Sequence, residues 1–274
     1  MNTEDAIRDF ARFANRPEEE IELSEAALLI ARAEYPTLDV QAQLRRLDVL
    51  ASQAACNPLG PPISNIQALN ELLFDREGFR GNEEEYDDPR NSYLNDVLDR
   101  KKGIPISLSV VYISLGRRHS LPVFGVGFPG HFLVKYVTGP GGILIDPFRR
   151  GALTSREDCE RQLKAQFGEE AVLKPEHLAI ATTRQILARM LNNLKASYFR
   201  RKAYAKVLNM IQLSLALDPW SPTDLRDRGM IYLALRRYRE AMADFSSYLR
   251  LAPPDDPQTE EVLKALQQVH ALMN

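Results

Sequence analysis

The alternation of apolar and polar positions divides the chain into three stretches with different periods. The first stretch, to about residue 100, is helical. Ala6, Phe10 and Phe13 share one helical face. A second helix is predicted over 23–35, with Ser24 as its N-cap and Pro36 as its stop. Asp39 is placed to cap a third, in which Val40, Leu44, Leu47, Leu50 and Ala51 recur at threes and fours. Residues 57–64 hold three prolines and a glycine and read as a loop. A short amphipathic helix is predicted over 65–80 from Ile66, Leu69, Leu72, Leu73 and Phe74. Another runs through Leu94, Val97 and Leu98, with Asn91 or Ser92 as its cap.

The second stretch changes character. Residues 104–119 are apolar around most of a helical circumference, with Leu108, Val111, Tyr112 and Leu115 on one side and Val110 and Ile113 on another. Such a helix is buried on most sides, and Pro105 suits its first turn, where a missing N–H costs nothing. Strand-like runs follow at 121–128, at 131–137 and at 143–146, with a turn at 139–142 and Pro147 as a stop. A buried helix followed by an antiparallel meander is α+β, not alternating βαβ. Helix then returns in short segments at 155–168 and 175–181.

The third stretch repeats. Adding 34 to Leu191, Leu194, Tyr198 and Pro219 gives Leu225, Arg228, Tyr232 and Pro253. In the second copy Gly229, Tyr232, Ala241, Phe245 and Pro253 take the small, aromatic, small, aromatic and terminating positions of a tetratricopeptide repeat. Small residues let two antiparallel helices approach, and large ones fill the groove to the next pair. The first copy carries Lys195 at the glycine position and Val207 near the alanine position, and a helix over about 258–273 caps the stack. The expected division is therefore 1–182, a helical N-terminal part plus an α+β core, and 183–274, the α-helical repeats.

Composition narrows the function classes. The chain has 274 residues, 45% hydrophobic and 26% charged, with a net charge of −2. That charge gives no global field to draw in nucleic acid, and Arg100-Lys-Lys and Arg200-Arg-Lys read as solvated faces. No apolar run approaches the ~20 residues of a membrane span, and the first residues are polar and acidic without an apolar signal core. A soluble, cytoplasmic protein with neither a nucleic-acid nor a membrane partner is expected. Cys56 and Cys159 read as free thiols. The five carboxylates between Glu83 and Asp88 read as a solvated loop, because the ligand spacing and turn glycine of a calcium loop are missing. No metal and no cofactor is expected.

Of four histidines only His131 has informative surroundings: it follows Gly130 and opens an apolar run, with Asp146 on the next run in Ile-Asp-Pro. The segment GIPISLSVVYISLGRRHSLPVFGVGFPGHFLVKY, followed by LIDPF, resembles the transglutaminase-like branch of papain-type folds. In that family a cysteine at the N-terminus of a buried helix is the nucleophile. A histidine opening a strand shuttles its proton, and an aspartate on the next strand holds the histidine's tautomer. The resemblance places His131 and Asp146 in the last two roles. The cysteine position falls at Pro105, which has no nucleophile. Ser107, two residues on in the same helical turn, is the candidate in its place, and Cys56 and Cys159 lie outside the motif.

Over the whole chain NELLFDREGFRGN, DPRNSYLNDVLDRKKGIPISLSVVY, GVGFPGHFLVKY and IDPF, followed by repeats, resemble the SirB-type bacterial proteins, with a related core in some animal F-box proteins. The expected function is a non-catalytic transglutaminase-like scaffold or adaptor that binds a protein or peptide, with a regulatory role and the repeats as a second docking surface. Tyr198, Tyr232, Arg149 and Arg150 are its expected contact residues. The other readings are a hydrolase or acyl-transferase using Ser107, His131 and Asp146, and an adaptor with no site at all.

Overall fold

The computed structural model describes residues 2–139 and 141–273. Among them the chain forms twelve α-helices and six short strands. At the centre is α6 (Pro105–Arg118), in which every residue from Pro105 to Gly116 is buried. Around it pack α2 (Leu23–Arg32), α3 (Val40–Ala51), α4 (Pro62–Asn70) and α5 (Leu94–Arg100), while α1 (Thr3–Ala14) lies against α2. Val110, Val111, Ile113 and Leu115 are each at most 1% exposed. Burial of one such side chain is worth about 1.5–3 kcal/mol, so this helix is a large part of what holds the core together.

Helix starts follow side-chain chemistry, though not always at the expected residue. Asp39 caps α3 by accepting from the Ala42 N–H at 2.9 Å. The cap of α2 is Glu22, not Ser24: its carboxylate accepts from the N–H groups of Ser24 and Glu25 at 3.1 and 2.6 Å. Asn91 and Ser92 do not cap α5, whose N-cap is Tyr93 without a side-chain bond. Asp88 instead caps a 3-10 turn over Pro89–Asn91. The helix expected over 65–80 is α4 plus a π-helical turn, Glu71–Arg76, after which β1 (Arg80–Gly81) pairs in parallel with β2 (Lys102–Gly103).

Strands β3 (Val123–Val126), β4 (Leu133–Tyr136), β5 (Ile143–Asp146) and β6 (Ala152–Thr154) form an antiparallel meander in sequence order. The last strand was not expected from sequence. Pro140, in the expected 139–142 turn, lies outside the described residues. Side chains alternate between the faces: Val134, Tyr136 and Ile145 join the main core, whereas Leu133 and Leu144 face a smaller cluster with Cys159 and Leu163 of α7 (Arg156–Phe167). The sheet is thus covered on both sides.

The chain then runs along the free edge of β3, with the Ala181 N–H donating to the Gly125 carbonyl at 2.8 Å, and enters α8 (Thr183–Arg200). Helices α8 and α9 (Tyr204–Leu217) form one hairpin, α10 (Pro222–Ala234) and α11 (Tyr238–Leu251) a second, and α12 (Thr259–Met273) closes the stack. A Cβ on Gly229 would sit 2.6 Å from the Phe245 ring, so the small-against-large pairing read from the repeat is a real contact. At the degraded glycine position Lys195 makes an ion pair with Asp224, which also accepts from Ser214 Oγ at 2.6 Å. One hydrophobic cluster extends from Phe10 to Val269.

Candidate functional site

His131 sits in the turn before β4, not in the strand itself. Gly130 has a φ of +68°, and the His131 N–H donates to the Phe128 carbonyl at 3.1 Å. The turn is pinned from outside by Arg189 of α8, whose guanidinium donates to the carbonyls of Phe128 at 3.0 Å and His131 at 2.6 Å. The same group lies 5.5 Å from the centre of the Phe132 ring, and its burial pushes its pKa below the ordinary arginine value.

Asp146 ends β5 and is 1% exposed. Its Oδ2 lies 2.8 Å from His131 Nε2, and its Oδ1 accepts from the N–H groups of Phe148 and Arg149 at 3.0 and 3.3 Å. A buried carboxylate with these partners is satisfied when Nε2 carries the proton and donates. That tautomer leaves His131 Nδ1 as an acceptor, with no hydrogen-bond partner among the described residues. An imidazole oriented in this way can take a proton from a group placed at Nδ1.

The wall beside His131 is aromatic. Phe148 meets the imidazole edge-on at 6.1 Å and Tyr86 at 6.3 Å. Its ring fits because β1 offers Gly81 there: a Cβ on that residue would fall 2.6 Å from the ring. Tyr86 belongs to the acidic loop, which Asn91 holds in shape. The fully buried Asn91 amide donates to the carbonyls of Glu85 and Tyr86 at 2.6 and 3.3 Å and accepts from Asn82 Nδ2 at 3.0 Å.

Ser107 is fully buried in the first turn of α6. Its hydroxyl donates to the Asn91 carbonyl at 2.5 Å and accepts from the Ile104 N–H at 3.0 Å. No hydrogen bond joins it to His131 among the described residues. Pro105, where the resemblance would place a cysteine, is buried as the first residue of α6. Cys159 lies under the sheet and Cys56 near α4, and burial pushes both thiols up, away from thiolate.

The expected contact residues divide. Tyr198 and Tyr232 are only 4% and 7% exposed. The Tyr198 hydroxyl is 2.9 Å from that of Tyr93, and Tyr232 lies under the guanidinium of Arg237 at 4.3 Å, so both rings serve packing between helices. Arg149 and Arg150 do reach solvent; Arg149 Nε is 3.7 Å from Asp146 Oδ2, and Arg150 donates to Asp75 at 2.6 Å. Sequence reasoning missed Arg189, Tyr86, Phe148 and Asn91. Only Phe148 carried a signal, as the last residue of the IDPF motif.

Two hollows flank α8. The larger, of about 790 Å³, is the concave side of the repeats, lined by Phe199, Tyr204, Val207, Met230 and Ile231 among others. The smaller, of about 220 Å³, lies between α8 and the core, against Tyr86, Asp88, Ser92 and Ile104 at the start of α6.

A buried helix, an antiparallel sheet presenting a histidine–aspartate pair at one end of its two central strands, and stacked helical hairpins define a transglutaminase-like protein with tetratricopeptide repeats. Family models agree: the transglutaminase-like superfamily matches residues 39–192 and a tetratricopeptide repeat matches residues 194–267. The chain belongs to the family of the bacterial UPF0162 and SirB1 proteins. It is 38% identical over 249 residues to a UPF0162 protein of Xylella fastidiosa, covering 86% of each chain. It is 27% identical over 232 residues to Protein SirB1 of Salmonella typhimurium, covering 84% of this chain and 85% of that one. F-box only protein 21 of Pongo abelii is 28% identical over 200 residues, which are 69% of this chain and 31% of that protein.

Proposed function

We propose that this protein is a scaffold that binds a polypeptide segment of another protein in the groove of its repeats, with the transglutaminase-like core as a second, non-catalytic contact surface. The division proposed is residues 1–182 for the core and 183–274 for the repeats, with α8 the first repeat helix and at the same time a cover for the core, and with Arg149 and Arg150 forming a basic rim beside the His131–Asp146 pair. The observation that carries the reading is the groove of about 790 Å³ with its apolar lining, since concave repeat faces hold extended or helical peptides. Phe199, 59% exposed at its lip, meets Tyr204 edge-on at 6.0 Å, so two aromatic side chains stand together in the groove. Two further observations favour a core without family-type chemistry: Pro105 supplies no nucleophile, and the Ser107 proton is already given to the Asn91 carbonyl.

The test is affinity capture by the intact protein compared with Phe199→Asp. Proteins retained by the native chain and lost with the variant identify the partner; an identical set with both would overturn the groove reading. The His131–Asp146 pair, with Nδ1 open, keeps a second reading in view, acyl transfer through Ser107. A fluorophosphonate probe decides it. No labelling of Ser107 is expected; labelling that His131→Ala abolishes would establish acyl transfer instead.

A further inference from the structure

The smaller hollow carries polar groups on two sides that have nothing to bond. On the core side Ser92 is 3% exposed, and its hydroxyl makes no hydrogen bond among the described residues. Unlike the orphaned hydroxyls of Ser109 and Tyr112 it is not sealed in protein, so it opens onto the hollow that Ser92 lines. The Tyr86 hydroxyl is likewise without a partner among the described residues. Burial pushes its pKa up, which keeps it a neutral group able to donate and accept. On the α8 side the carboxamide of Asn193, a half-buried residue, has no hydrogen-bond partner among the described residues either. Deeply placed polar groups are nearly always bonded, so three open ones around one cavity are what a ligand site requires.

Charge and shape narrow the ligand. Every charged side chain on the lining is already matched, Asp88 with Arg90 and Arg100, and Asp87 with Arg200. An ion would enter without a counter-charge, which favours an uncharged occupant. The open groups come from both the core and α8, whereas an amide bonds along one edge. A ligand that satisfies both sides needs groups around its perimeter that donate and accept, as hydroxyls do. Ile104, Ala196 and the Tyr86 ring add apolar surface between the polar groups, suited to the C–H faces of a saturated ring. The volume of about 220 Å³ is that of about seven waters at about 30 Å³ each, which is room for one such ring.

We propose that the small hollow is a binding site for a single uncharged sugar ring or cyclic polyol, held by Ser92, Tyr86 and Asn193. The site lies between the core and α8, apart from the groove of the repeats, so it neither rests on the scaffold reading nor falls with it. Because the hydroxyls come from the core and the carboxamide from α8, an occupant also ties these two parts together.

Saturation-transfer NMR on the intact protein tests the site with a panel of neutral monosaccharides and myo-inositol. Gluconate and glucosamine serve as charged counterparts, and N-acetylglycinamide as an amide. At least one neutral polyol should bind, and more tightly than the charged compounds or the amide. Ser92→Ala and Asn193→Ala should each weaken it by about tenfold in titration calorimetry. Ser92→Ala should leave the melting temperature of the free chain unchanged, since the hydroxyl it removes bonds nothing, so that lost binding is not lost folding. For a sugar that binds, equal binding of its methyl glycoside would support a ring carried on a longer saccharide, and failure of the glycoside would support the free sugar. The proposal is overturned if no neutral polyol binds, if gluconate, glucosamine or the amide binds more tightly than every polyol, or if both variants bind undiminished.

Discussion

Single residues in this molecule act through what they leave unpaired or crowded. Asp146 is the acceptor for a ring nitrogen and two backbone N–H groups while itself buried. Asp146→Ala strands all three donors, and a loss of about 2–4 kcal/mol is expected in urea unfolding. Gly229→Ala puts a methyl into the Phe245 ring and should cost about 1–3 kcal/mol in the same measurement. Asp88 gives a pH signature. Burial alone would raise its pKa, but the hydrogen bonds from the side chain and backbone of Arg90 outweigh it and hold the carboxyl below its usual value. A carboxyl more acidic when folded stabilises the protein above its unfolded pKa of about 3.9, and that gain is lost as pH falls through the lower folded value. Asp88→Asn should therefore be less stable than the native chain at pH 7, with the gap closing below about pH 4 in unfolding curves taken across pH.

At the scale of elements, α8 is the member with most roles. Its first turns pack on α2 and α6, Arg189 holds the turn carrying His131, and residues from Asn192 onward line the repeat groove. The matches to the two families meet within it, one ending at residue 192 and the other beginning at 194. A fragment ending at residue 182 loses Arg189 and uncovers the faces of α2 and α6 against which α8 packs, with Ile186, Leu187, Met190 and Leu191 of the main cluster removed. That fragment should aggregate, whereas one ending at residue 201 should stay soluble; size-exclusion chromatography of the two distinguishes them. A milder version is Arg189→Met, which keeps the stem but removes both hydrogen bonds to the turn. The His131 ring resonances should broaden or shift in NMR while the overall fold persists.

At the scale of the whole molecule, the apolar cluster from Phe10 to Val269 links helices at both ends of the chain, with α1 packed on α9. No described helix is long and apolar enough to cross a membrane. Core and repeats therefore share buried surface, and differential scanning calorimetry should give one main transition, with the van't Hoff and calorimetric enthalpies in near agreement.

What the sequence determined by itself was whatever depends on period and on near neighbours. The apolar circumference of 104–119, the meander after it, the 34-residue repeat and the cap at Asp39 all express local rules, and the folded chain obeys them. The pairing of His131 with Asp146 was also legible, because two short strands joined by a turn bring their ends together. The tertiary structure alone decided the rest. Ser107 turned to the Asn91 carbonyl because a buried hydroxyl takes the nearest acceptor, and that acceptor comes from a loop sixteen residues away. Tyr198 and Tyr232 went inward because rings at repeat positions fill space between helices. Arg189 reached the His131 turn from fifty-eight residues downstream, a contact that no spacing rule encodes, since it exists only once α8 has packed against the core.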